Sequence, residues 1–119
     1  MAYIASMENV RNQGNGKNYF GESRECVAAA KHFGNALATR YWKRGAKVKG
    51  NLAVRPGTMI ATFDDDGRYK GHAAIYESQT SVGLTVYDQW SGRKFQPRII
   101  EFRGGGYVSN DGDAFYVVE

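Results

Sequence analysis

Apolar positions recur along this chain in two rhythms, and the rhythm changes near Pro56-Gly57. The first stretch, Met1 to Gly21, is polar and dotted with Gly14, Gly16 and asparagines, and it reads as a lead-in and a loop. A helix is predicted next. Ser23 is a plausible N-cap, and neither glycine nor proline interrupts Arg24 to Phe33. Cys26, Ala30, Phe33 and Leu37 fall at helical spacing on one stripe, so the helix is expected to run on and fray near Arg40, weakened slightly at Gly34. Tyr41 to Pro56 mixes charge with Gly45 and Gly50 and reads as a helical turn and a loop.

Beyond Gly57 the period shortens to that of strands. Thr58–Phe63, His72–Ser78, Leu84–Trp90, Arg98–Arg103 and Ala114–Val118 are predicted strands. Between them lie the Asp64-Asp65-Asp66-Gly67 turn, a hairpin near Gly83, the Ser91-Gly92 turn and a Gly104-Gly105-Gly106 loop. A Cys-bearing helix followed by consecutive strands on short turns predicts an α+β fold, with that helix packed on an antiparallel sheet. No repeat or second unit is visible, so residues 1–119 are expected to form one domain.

Composition narrows this picture. A chain of 119 residues with 42% hydrophobic content is long enough for one core without covalent staples. Its apolar runs, such as Ile60-Ala61-Thr62-Phe63, are far too short to span a bilayer, so no membrane partner is expected. The start, Met1 to Ser6, meets Glu8 and Arg11 before any apolar core develops, which predicts synthesis in the cytoplasm without a signal peptide. The net charge of +4 and the basic run Arg40, Lys43, Arg44, Lys47, Lys49 suit an anionic partner, a wall polymer or a nucleic acid, as well as they suit a solvated segment. Nucleic acid ranks last, because the aromatics are scattered and no nucleic-acid motif is present.

The single cysteine excludes an internal disulfide, and a lone thiol is more often a buried small hydrophobe than a reactive group. Cys26, however, falls in the first turn of the predicted helix, where free backbone N–H groups and the helix dipole favour a thiolate. His72 opens a strand between Gly71 and two alanines, so another group can approach its ring. The bland alternative is a half-exposed histidine at a strand end. His32 lies off the helix stripe and is expected at the surface. A third polar group would fix the imidazole. Asp88, in Val86-Tyr87-Asp88-Gln89-Trp90, is the preferred orienting residue, with Gln89 as the alternative because register is not readable. Otherwise Asp88 simply begins a turn. The acidic Asp64-Asp65-Asp66 cluster reads as a turn and not a calcium loop, lacking the later glutamate, and no metal or cofactor is called for.

The order of these motifs resembles the CHAP and NlpC-type amidases and peptidases, compact papain-like enzymes of bacteria and phages. The resemblance rests on Glu25-Cys26-Val27, Arg55-Pro56-Gly57-Thr58 with the strand to Phe63, Gly71-His72-Ala73-Ala74-Ile75-Tyr76 and Val86 to Trp90. The Asn110 to Val117 ending is similar to a small bacterial family of CHAP-like proteins. The resemblance implies a papain-like (NlpC/CHAP-like) domain with an N-terminal Cys-bearing helix, acting as a cysteine amidase or endopeptidase on peptidoglycan, at a stem peptide or its sugar link. It implies a Cys26, His72, Asp88 triad, with Cys26 N–H as oxyanion donor and Tyr19 as a further candidate. It also implies an antibacterial effector acting in a periplasm or target-cell wall after export or injection, and a cognate inhibitor protein as partner. The alternative is a binding or immunity-type module that keeps the fold without catalysis.

Overall fold

The computed structural model describes all residues, Met1 to Glu119. Helix α1 spans Met7–Gln13 and helix α2 spans Cys26–Gly34. The strands are β1 (Arg44–Lys47), β2 (Met59–Phe63), β3 (Tyr69–Gln79), β4 (Gly83–Trp90), β5 (Arg93–Glu101) and β6 (Phe115–Val118). They form one sheet in the order β1-β6-β2-β3-β4-β5, and every neighbouring pair is antiparallel. The last strand thus enters between two earlier ones. No helix is long and apolar enough to cross a membrane.

Alternation along β3 and β4 sorts the core into two layers. Ala73, Ile75 and Tyr87 face the layer that holds Ala29 and Ala30 of α2, while Ala74, Tyr76 and Val86 face Phe115 and Ile100. Helix α2 lies across β3 and β4 on the first of these faces.

This architecture corrects the expected papain-like layout with an N-terminal Cys-bearing helix. The N-terminal helix is α1, which has no cysteine; its start is capped by Ser6 Oγ, which accepts from Asn9 N, and Val10 anchors it in the core. Cys26 opens the second helix, and the dominant element is the six-stranded sheet. Nor does α2 reach Arg40. It ends at Gly34, whose missing side chain lets the helix lie against Met59, and Asn35 turns left-handed with φ 51°. Leu37 therefore falls outside the helix and is exposed. Ser23 is not the N-cap either: Glu25 holds that position, and Ser23 Oγ accepts from Glu25 N.

Strand β1 replaces the expected loop. Its sequence, Arg-Gly-Ala-Lys, has no apolar alternation because it is an exposed edge, where charges discourage pairing with other chains. The other expected strands are present with shifted ends; β5 begins at Arg93 instead of Arg98.

Candidate active site

Three elements converge on Cys26. The first is α2 itself, whose first residue is Cys26, so the thiol stands where backbone N–H groups lack intrahelical partners. Its entry is fixed from afar by Gln89, a fully buried side chain on β4. Gln89 Oε1 accepts from Phe20 N, and its Nε2 donates to the carbonyls of Phe20, Ser23 and Glu25. Gln89 thus does not orient His72; it latches the segment that delivers the cysteine.

The second element is β3, which carries a bulge. Phe63 pairs with Tyr69 and Ala61 with Ala73, so two additional residues sit on β3 between these pairs. Gly71, at φ 111°, makes this possible: a Cβ there would collide with Thr62 Oγ1 and Val108 Cγ2. Thr62 Oγ1 accepts from His72 N and donates to Lys70 O, which locks the irregular turn of chain. The bulge brings both Tyr69 and His72 to the sulfur. Tyr69 Oη lies 3.6 Å from Cys26 Sγ.

The third element is β4. Its pairing with β3 runs from Gln79↔Leu84 to Ile75↔Tyr87 and stops, leaving the N–H of Ala73 to hydrogen-bond the Cys26 sulfur. By alternation His72 and Asp88 belong to the face opposite α2, so the site straddles the sheet where these strands part. His72 Nε2 donates to Asp88 Oδ2 at 2.7 Å. That carboxylate is buried, and a carboxylate only accepts, so the proton of this bond sits on Nε2 and Nδ1 is left for Cys26.

Asp88 is held in turn by two arginines. Arg98 Nε reaches Oδ2 at 2.8 Å and Arg93 Nη1 reaches Oδ1 at 3.1 Å. Arg98 is itself tied to Ser109 O and Asn110 Oδ1 on the turn before β6. The two guanidiniums enclose Trp90, at 4.7 and 5.0 Å from its ring centroid.

The electrostatics follow from these contacts. Burial pushes the Cys26 thiol up, but hydrogen bonding and charge attraction from His72, with help from Ala73 N–H and Tyr69, outweigh it and leave the thiol below its ordinary 9.0. Burial pulls His72 down, yet bonds to Asp88 and Cys26 raise it to about 9. Tyr69 is pushed up, by burial first and then by the sulfur's charge, so it keeps its proton. The lowered thiol and the raised imidazole both favour the thiolate-imidazolium form of the pair.

Cys26, His72 and Asp88, singled out in the sequence, are brought together. Tyr19 is not brought to the sulfur by any contact; its hydroxyl accepts from Gly92 N and its ring lies under Arg24. Sequence reasoning missed Tyr69, Arg93 and Arg98. The arginines become readable only once the β4–β5 register sets Val86 opposite Arg98 and so places that guanidinium one step from Asp88. The Asp64 turn is present, with Oδ1 accepting from Asp66 N and Arg68 N.

Comparison with known proteins places this arrangement. A solved structure titled "Type 6 secretion amidase effector 2 (Tae2)" superposes with a TM-score of 0.82 at 29% identity, over 98% of this chain and 94% of that one. It is similar over the whole six-stranded sheet, which is the layout that displaces the papain-like expectation. A "Domesticated amidase effector 2" of Ixodes scapularis is 43% identical over 103 residues, 82% of this chain and 72% of that protein. A "Type VI secretion amidase effector 2 protein" of Salmonella typhi is 32% identical over 117 residues, 83% of this chain and 87% of that protein. None of these carries the narrower CHAP label, which is not supported; the wider NlpC-type amidase resemblance is. A family model described as "Domesticated amidase effector 2" matches residues 2–118, and the chain belongs to that family.

Proposed function

We propose that this protein is a cysteine amidase that cleaves an amide bond of peptidoglycan, with Cys26 as nucleophile, His72 as acid and base, and Asp88 as the orienting carboxylate. One observation carries the reading: the thiol at a helix start, His72, and a buried carboxylate 2.7 Å from the imidazole stand in line, with the thiol held low. Membership of a family named for amidase effectors supports the reaction class.

The thiolate attacks the amide carbon. Negative charge gathers on the carbonyl oxygen, within reach of the Cys26 N–H at the helix start and the Tyr69 hydroxyl, which takes the place considered for Tyr19. His72 then gives its Nδ1 proton to the leaving amine, and a thioester remains. Water attacks this acyl-enzyme with His72, now neutral, taking its proton, and the carboxylic acid product leaves as Cys26 and His72 return to their starting charges. Asp88 keeps the proton on Nε2, so Nδ1 always faces the sulfur.

Delivery as a secreted antibacterial effector into a target periplasm fits the type VI secretion relative, and such a role calls for an immunity protein as partner. Digestion of purified peptidoglycan, with mass analysis of the fragments, tests the reading. Wild type should release fragments bearing a new amine and a new carboxyl end, and Cys26→Ala should lower the rate by about 10⁴-fold or more. Equal release by both proteins would sink the assignment, and a catalytically silent module would release nothing in either case.

A further inference from the structure

Two clefts lie beside the cysteine-histidine pair, and they differ in whether their arginines are engaged. One, about 310 Å³, is lined by His72, Trp90, Tyr107, Ser109 and Asn110. The arginines behind it, Arg93 and Arg98, both spend hydrogen bonds on the buried Asp88 and so are held away from a ligand. The other, about 460 Å³, is lined by Thr39, Arg40, Trp42, Arg68 and Tyr69. That volume lies within the range of small-ligand sites, about 300–1,000 Å³. Tyr69 connects this cleft to the chemistry: its ring lies edge-on to the buried Trp42 at 5.2 Å, and its hydroxyl touches Cys26 Sγ.

Arg40 and Arg68 take part in no ion pair. Each stands on a braced turn. Arg40 belongs to the single turn Thr39–Tyr41 and lies over the Tyr41 ring, donating to its hydroxyl. Arg68 follows Gly67 in the β2–β3 turn, whose Asp64 accepts from the Arg68 backbone N–H and not from its guanidinium. The Arg68 charge is felt by Asp64 in the same turn, but neither guanidinium is held in a direct ion pair, and the cleft shares Tyr69 with the cysteine, so the two can receive a planar anion there.

We infer that the Arg40–Arg68 cleft is a substrate subsite that binds a free carboxylate of the peptide beside the scissile amide. The inference rests on the amidase reading above and deepens it. Stem peptides carry such carboxylates, and some walls mask them as carboxamides, which cannot receive charge-assisted bonds from arginine. The subsite therefore makes the enzyme discriminate between free and amidated walls. A carboxamide gives the two guanidiniums no charge-assisted bond, a loss of about tenfold or more in affinity.

The test uses soluble crosslinked muropeptides in free-carboxylate and amidated forms. For wild type, kcat/KM should favour the free form at least about tenfold, mostly through KM, and Arg40→Gln with Arg68→Gln should bring that ratio close to one. Equal rates on both forms by wild type, or an unchanged ratio in the double variant, would overturn the subsite. Calorimetric binding of both forms to Cys26→Ala separates this from the amidase reading. If wild type cleaves neither form, that reading fails, while tighter binding of the free form still supports the subsite and equal binding overturns it.

Discussion

His72 keeps its proton up to about pH 9, while Cys26 is lowered from the ordinary 9.0, so the proposed nucleophile and acid can coexist below about pH 9. The rate should rise with pH as the thiol ionises, stay level, and fall as pH passes about 9 and His72 loses the proton that the leaving amine needs. The raised value of His72 owes much to Asp88, so Asp88→Asn should move the alkaline limb of kcat/KM downward; a limb that stays in place would show that the carboxylate has little hold on the imidazole. The same sign governs stability. The His72–Asp88 bond contributes fully below about pH 6.5, the ordinary histidine range, and fades as pH climbs through about 9.

Helix α2 is a short element given its place by one distant side chain. Gln89 satisfies four backbone groups between Phe20 and Glu25 from a site with no solvent. Gln89→Leu, close in volume, would strip Phe20 and Ser23 of these part-buried bonds, while Glu25 O keeps its bond from Ala28 N, at a cost of about 1–3 kcal/mol. Denaturant unfolding should show a lower midpoint, and the cysteine of the folded variant should react more slowly with iodoacetamide, since its helix start is no longer held against His72 and Ala73. An unchanged midpoint would mean that water replaces the amide. This latch explains what the sequence could and could not disclose. A helix start at Cys26 and a histidine on a strand are local features, visible in Glu25-Cys26-Val27 and Gly71-His72. Gln89 stood next to the preferred Asp88, and only strand alternation decided which of the two meets the imidazole and which turns to the helix. Helix α1 and strand β1 escaped because their stability comes from tertiary contact: Val10, with Met7 beside it, anchors the first, and pairing with β6 makes the second.

The molecule as a whole carries a net charge of +4, with its basic run from Arg40 to Lys49 along the exposed edge strand and beside the cleft that holds Arg40. An anionic wall polymer should therefore capture it faster than chance collision, and raising ionic strength from about 20 to 200 mM should slow binding to whole peptidoglycan severalfold while leaving kcat on small fragments nearly unchanged. Salt-independent binding would assign the basic edge to solubility alone. Single strands after Gly57 were readable at this scale, because short turns and period-two alternation are sequence-local, while the expected layout around a Cys-bearing N-terminal helix was not the one found. The sheet order was not readable, since nothing near Phe115 announces that β6 enters between β1 and β2.

That interior seat of β6, between β1 and β2, has a bearing on when the candidate site is completed. Phe115 packs edge-on against the His72 ring at 6.3 Å, and Arg98 is moored to Ser109 and Asn110 just upstream. A ribosome that has translated Cys26, His72 and Asp88 has thus still not supplied the strand that packs against the His72 ring. Until Val118 has left the exit tunnel, β1 and β2 have no partner between them, so the sheet behind the candidate site closes only when the chain is almost fully made.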